Sequence, residues 1–155
     1  MAARITPNQI KKTNRQLIYD CIYREKKVSQ QDLSYLLHLS RPTVAANLAS
    51  LEEEGLIRKN GQFHTDQIGR KAVAYSIDTR YRVGLGVELR HWNVKIIAVD
   101  LYGQELGHQI MDIPFENTDR YYQTVSGYVL DFIAAHQLRE EQILGAGFTA
   151  QGITS

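Results

Sequence analysis

The chain has 155 residues, of which 43% are hydrophobic, and a formal net charge of +1; that is enough for one or two small domains with cores of their own. No run of about 18 apolar residues occurs, which excludes a membrane-spanning helix, and the N-terminus lacks the charged, apolar, small-residue order of a secretory signal. The single cysteine, Cys21, has no second cysteine to bridge to, so the composition fits the cytoplasm.

Charge is nearly balanced overall but unevenly placed. Residues 1–80 carry thirteen Lys/Arg against eight Asp/Glu, a net of +5, while residues 81–155 carry five against nine, a net of −4. A basic first half on a mildly acidic second half predicts that only the first meets a polyanion, through salt-dependent phosphate contacts. Five charges over eighty residues are modest, so charge supports a nucleic-acid reading without establishing it.

In chain order, residues 1–5 are expected to fray, and Thr6-Pro7-Asn8-Gln9 has the form of a capping box with Pro at the first helical position. A helix follows to about Arg24, with Ile10, Leu17, Ile18, Cys21 and Ile22 inward and Asn14 as a point of interruption. Cys21 lies on the apolar stripe and reads as a buried, inert thiol. Lys11, Lys12 and Arg15 are available to phosphates, although single surface cations are more often simply solvated.

Val28 to Gly61 organises the rest. Ser29 is an N-cap whose hydroxyl satisfies a free backbone N–H, and Leu33, Leu36 and Leu37 give one apolar helical face. His38-Leu39 makes a turn, Ser40 caps again, and Pro42 sits in the first turn of the next helix, where a missing N–H costs nothing. Val44, Leu48 and Leu51 form its inward stripe, and Gly55 ends it. The outward face is assigned Arg41, Thr43, Ala46 and Asn47, with Glu52, Glu53 and Glu54 at the far end. Short, hydrogen-bonding side chains on the N-terminal half of a helix suit entry into a DNA major groove. Ser40, Arg41, Thr43 and Asn47 are therefore the groove candidates, and Ser29 and Gln30 the phosphate candidates. The bland alternative is a three-helix packing unit with an ordinary solvated face.

Leu56 to Lys59 reads as a strand, Asn60-Gly61 as a turn and Gln62 to Asp66 as irregular. Gly69-Arg70-Lys71 precedes a second strand, Ala72 to Ile77. Two strands behind the second helix make a wing, with Arg70 and Lys71 placed to touch the minor groove or backbone. Asp78-Thr79-Arg80-Tyr81 is a short, stiff junction, which divides the chain into residues 1–78 and 82–155.

The second half changes period. Val83–Leu89, Trp92–Asp100 and Glu105–Ile113 read as an antiparallel meander. Thr118-Asp119 caps a helix to about His136, with Tyr122, Val125, Val129, Phe132 and Ile133 inward. Gln142–Thr149 reads as a buried strand. The order β-β-β-α-β places the last strand parallel to the first through a right-handed crossover. The five histidines show no metal-ligand spacing, and the glycines at 84, 86, 145, 147 and 152 form no phosphate loop. No catalytic residue, metal or cofactor is expected.

TNRQLIYDCI, VSQQDLSYLLHLSRPTVAANLASLEEEGLI and GRKAVAYSID together resemble the winged helix of ROK-type sugar-responsive transcriptional regulators. VGLGVELRHWNVKIIAVDLYGQEL and LGAGFTAQGI resemble the start of the ROK sugar-kinase-like domain. The resemblance implies an α+β fold: an N-terminal winged helix-turn-helix, then a partial ribonuclease-H-like, actin-like ATPase-type β-β-β-α-β half-domain. It implies a DNA-binding repressor of sugar-related genes. Kinases of this family open the domain with an Asp-x-Gly-Gly-Thr loop; here Glu88-Leu89-Arg90-His91-Trp92 stands in its place, without the glycine pair that lets a backbone approach phosphate. Gln151-Gly152 replaces a Pro-Gly pair. The family's catalytic aspartate, sugar-contacting residues and zinc-binding His/Cys cluster lie beyond the residues matched, so the expectation is a fragment of a longer regulator or a truncated one, and no enzyme. The partners expected are a double-stranded operator, a second copy joined through apolar faces that the half-domain leaves open, and a sugar effector if the full second domain exists. Two readings compete: a ROK-type sugar kinase with an added N-terminal domain, and a winged-helix protein-interaction module.

Overall fold

The computed structural model describes residues 7–62 and 72–150, with side chains from residue 12 onward. The chain divides into two compact units, Met1–Asp78 and Thr79–Ser155.

In the first unit, α1 (Pro7–Glu25) is followed by β1 (Val28–Ser29), α2 (Gln30–Leu37), α3 (Arg41–Glu53), β2 (Ile57–Gln62) and β3 (Val73–Ile77). Helix α1 runs through Asn14 without a break. One asparagine costs a helix only up to about 0.7 kcal/mol, and burying Ile18 and Ile22 at 0% exposure far exceeds that. Leu17, expected inward, is 41% exposed, and the side chain of Ile10 lies outside the described residues. The chain leaves α1 through Lys26, whose φ is +61°.

Strand β1 has no signature in the sequence. Its two residues carry no readable period, yet Val28 pairs with Tyr75 and Ser29 with Ala74, making β3 the centre of an antiparallel β1-β3-β2 sheet. Strand β2 does not stop at Lys59 as expected. It continues to Gln62, and Asn60-Gly61 forms an irregularity in the pairing with β3, not a hairpin turn. Gly61, at φ +75°, supplies the left-handed backbone this needs. Because β3 is central and α1 packs against it, Ala74, Ser76 and Ile77 are all buried while Val73 remains exposed. Leu33, Val44, Leu48 and Leu51 complete the core. Leu36 was expected to join them but is 48% exposed; an eight-residue helix presents one narrow inner line, and Leu33 occupies it.

The second unit contains β4 (Val83–Leu89), β5 (Asn93–Val99), β6 (Glu105–Asp112), α4 (Asp119–Ala135), a 3-10 turn (Glu140–Gln142) and β7 (Ile143–Ala150). The sheet order is β6-β5-β4-β7. β4 is antiparallel to β5, β5 to β6, and β7 is parallel to β4, with Val87 opposite Phe148. Tyr121, Val125 and Phe132 of α4 close the core over Val83, Leu85, Val87, Val94, Ile96 and Ala98. The tyrosine that turns inward is thus Tyr121, not Tyr122. It precedes Val125 by four residues and so lies on the same helical line, whereas Tyr122 is 42% exposed. The ring of His136 stacks on Phe132 with centroids 4.0 Å apart and fills the space beside Gly107, where a side chain would collide with it. Strand β7, read as buried, is exposed from Leu144 to Ala150. It is an edge strand among the described residues, and α4 packs over β5, so no described element covers its apolar side chains. Among the described residues no helix is long and apolar enough to cross a membrane, and no cluster of His, Cys, Asp or Glu has metal-site geometry.

Candidate nucleic-acid interface

Ser29 starts α2 as a full capping box. Its hydroxyl accepts from the Asp32 N–H at 3.1 Å, and the Asp32 carboxylate accepts from the Ser29 N–H and hydroxyl at 3.1 and 2.6 Å. This is where one phosphate assignment fails: Ser29 is 4% exposed, and its hydroxyl already serves Asp32. Gln30, half-buried, donates its side-chain amide to the Arg41 carbonyl at 3.2 Å. That bond runs from the start of α2 to the start of α3 and fixes how the two N-termini sit together.

His38, at φ +53°, closes α2 in the left-handed region. Ser40 then caps α3, accepting from the Thr43 N–H at 3.3 Å, and its hydroxyl lies 2.8 Å from that of Thr43. Arg41 and Pro42 are exposed and Thr43 is partly so. The far end of α3 closes with a Schellman pair: Leu56 N–H to the Leu51 carbonyl at 2.9 Å and Gly55 N–H to that of Glu52 at 3.0 Å. Gly55 takes φ +74° to allow it.

Asn47 does not face outward. It is 7% exposed and donates its amide to the Thr43 carbonyl at 2.8 Å. The reason is helical geometry: Asn47 lies three residues after Val44 and four before Leu51, inside the buried stripe. The exposed positions beyond the first turn are instead Ala45, Ala46 and Ala49, with Glu53 at the far end. Small side chains there allow close approach, and alanine can meet a thymine methyl. Arg70 and Lys71 lie outside the described residues. Arg58, which sequence reasoning did not single out, is exposed on β2; its signal was its position directly after the buried Ile57.

The charges behind α3 are internally matched. The Arg15 guanidinium takes both Glu54 carboxylate oxygens at 2.5 Å and also donates to the Ser50 hydroxyl at 2.8 Å, tying α1 to the end of α3. Arg15 is therefore not held out for phosphate. The same bonds pull the Glu54 carboxyl below its ordinary pKa. Lys59 pairs with Glu52 at 2.8 Å, which raises the lysine's pKa. Arg41 makes no ion pair with any described residue. A cavity of about 410 Å³ opens beside it, bounded by Ser29, Gln30, Gln31, Val73 and Tyr75. An unpaired guanidinium beside the N-terminus of α2 presents positive potential on the side where α3 begins. Burial raises the pKa of the Cys21 thiol, which keeps it protonated and unreactive.

Residues 12–58 match the winged helix-turn-helix DNA-binding family. This part of the chain is a winged helix-turn-helix. Its three helices and the β1-β3-β2 sheet supply the helices and wing strands of that domain, and α3 stands where such domains place the recognition helix. No curated protein matches the sequence. Among solved structures, the chain is similar to a ROK family transcriptional regulator described as a homolog of the E. coli MLC protein. They share 20% identity with a TM-score of 0.58, over 92% of this chain and 36% of that one. The α+β fold of the winged helix-turn-helix and of the unit that follows it is thus similar to that of the regulator, and this chain spans about a third of its length. A Campylobacter jejuni peroxide stress regulator overlays at 12% identity with a TM-score of 0.36, over 94% of this chain and 91% of that one; at that score it carries no argument.

Proposed function

We propose that the chain is a sequence-specific transcriptional regulator of the ROK type, a cytoplasmic repressor of sugar-related genes that binds its operator as a homodimer. The carrying observation is the start of α3, where Ser40 and Arg41 are exposed, Thr43 is partly so, and the arginine makes no ion pair with a described residue. Arg41 reads a base edge or a phosphate there, Thr43 lies beside it, and Gln30 positions the turn. Arg70 and Lys71 serve the wing, and two copies meet a pseudo-palindrome with half-sites a helical turn or more apart. A sugar effector belongs to the remainder of a ROK-type second domain.

The stretch after β4 supports regulation over phosphotransfer. Glu88 pairs with Arg90 at 2.6 Å, which lowers the glutamate's pKa, and Trp92 projects with 67% exposure. A phosphate would meet bulky side chains there, not bare backbone. The test is binding of the full chain to a mixed-sequence duplex at two salt concentrations. A regulator binds, and log K falls linearly with log salt. A protein-interaction module shows no salt-dependent binding, and turnover of ATP with a hexose would favour the kinase.

A further inference from the structure

The outer face of α4 carries a surface that its own unit leaves unused. Asp119, Tyr122, Gln123, Ser126, Gly127 and Leu130 line an open groove of about 530 Å³ along the helix. Leu130 is 66% exposed and Tyr122 42%. Gly127 sits mid-helix, where glycine costs about 1 kcal/mol relative to alanine. Among the described residues nothing outside the helix's own neighbouring backbone lies within 4 Å of the place a Cβ would take, so packing against the described residues does not explain the glycine.

The charges beside this groove indicate what covers it. Arg120 and Asp131 are both exposed and make no ion pair with a described residue. Eleven residues apart, they lie on one flank of the helix within about 20° of each other. Arg120 stands about 10 Å before the Ser126-Gly127 midpoint and Asp131 about 7 Å after it, at 1.5 Å per residue. In an antiparallel, two-fold pair of α4 helices centred there, same flanks meet, and Arg120 of one copy reaches the level of Asp131 of the other to within about 3 Å. The pairing occurs twice by symmetry. The opposite flank brings Tyr122 beside the second copy's Ile133, and the centre puts Ser126 beside the second copy's Ser126 and Gly127 beside its Gly127, where small side chains permit an interaxial distance near 8 Å.

We propose that α4 is a self-association seam: two copies of this chain pair antiparallel along it, locked by reciprocal Arg120–Asp131 ion pairs. This rests on the two-copy reading above and names its surface. One helix pair buries less than the roughly 1,200 Å² of a standard interface, so the dimer is weak, concentration-dependent and loosened by salt.

Sedimentation velocity of the full chain at low salt tests it. The wild type forms a concentration-dependent dimer. Arg120→Glu and Asp131→Arg each weaken the dimer about tenfold, since either replaces two attractions by two repulsions, and the double variant recovers it. Leu130→Asp also weakens the dimer, and it stands in where a charge variant fails to fold. A wild type that stays monomeric overturns both the two-copy reading and the seam. A dimer indifferent to all these substitutions leaves the two-copy reading standing and removes the seam. Single variants that weaken the dimer without recovery in the double variant remove the ion pairing.

Discussion

The two units expose different chemistry. At the start of α3 the first unit shows an arginine, two hydroxyl side chains and then alanines, while at its acidic end Glu54 pairs with Arg15 and Glu52 with Lys59. The second unit shows apolar side chains: Leu130 and Leu144 at 66%, Phe148 at 62% and Ile110 at 50% exposure. Both surfaces are open, but polar, cationic positions close to small residues suit a wet, negatively charged partner, whereas large apolar side chains suit burial against protein. The division of labour follows from that difference. On the reading proposed above, the first unit meets the nucleic acid and the second meets another copy of the chain.

The substitution with the largest expected effect breaks the second unit alone. Phe132 is 0% exposed at the centre of its core, and Phe132→Ala costs about 3–5 kcal/mol. Thermal unfolding should show a large downward shift, while retention on duplex DNA below the first unit's transition persists. Loss of retention there would contradict the division. Next, Arg41→Ala is expected to weaken specific DNA binding by about 1–3 kcal/mol and leave the melting curve unchanged. An unaltered gel shift would remove Arg41 from the interface.

Asn47→Ala separates packing from recognition on the same helix. Losing the amide bond to the Thr43 carbonyl lowers stability by about 1 kcal/mol, seen in urea unfolding, with base preference unchanged. An altered preference at intact stability would restore Asn47 to the groove. Gly127→Ala sharpens the other side. With open space at the Cβ, it raises the stability of the second unit by about 0.5–1 kcal/mol while weakening self-association.

The smallest effect is acid-dependent. The Arg15 hydrogen bonds depress the folded-state pKa of Glu54, so their stabilisation is complete above the ordinary glutamate range and fades as pH falls through the depressed value. Glu54→Gln is therefore less stable than wild type at neutral pH, and the two stability curves converge in acid. A constant gap between them would dismiss the Arg15–Glu54 tie.

Much of this was legible in the sequence. Ser29, Ser40, Pro42 and Gly55 each carry a local backbone requirement, and together they delimit α2 and α3. The 3.6-residue spacing of Val44, Leu48 and Leu51 chose the inner face correctly. The failures came where composition cannot report a neighbour. Asn47 is polar, which predicts an outward side chain, although its spacing from Val44 and Leu51 puts it inside. Ser29 has a hydroxyl, but Asp32 three residues on takes it. Leu144 and Phe148 have the makings of a core strand, and only the sheet order shows that β7 is an edge. Two of the eight candidate interface residues, Arg70 and Lys71, fall outside the described structure.

The most direct measurement is selection of bound sequences from a random duplex pool by the full chain, compared with Arg41→Ala. The account predicts enrichment of a two-fold symmetric site by the wild type and loss of that enrichment in the variant. A pool left unenriched by the wild type, or the same site recovered with Arg41→Ala, would contradict it.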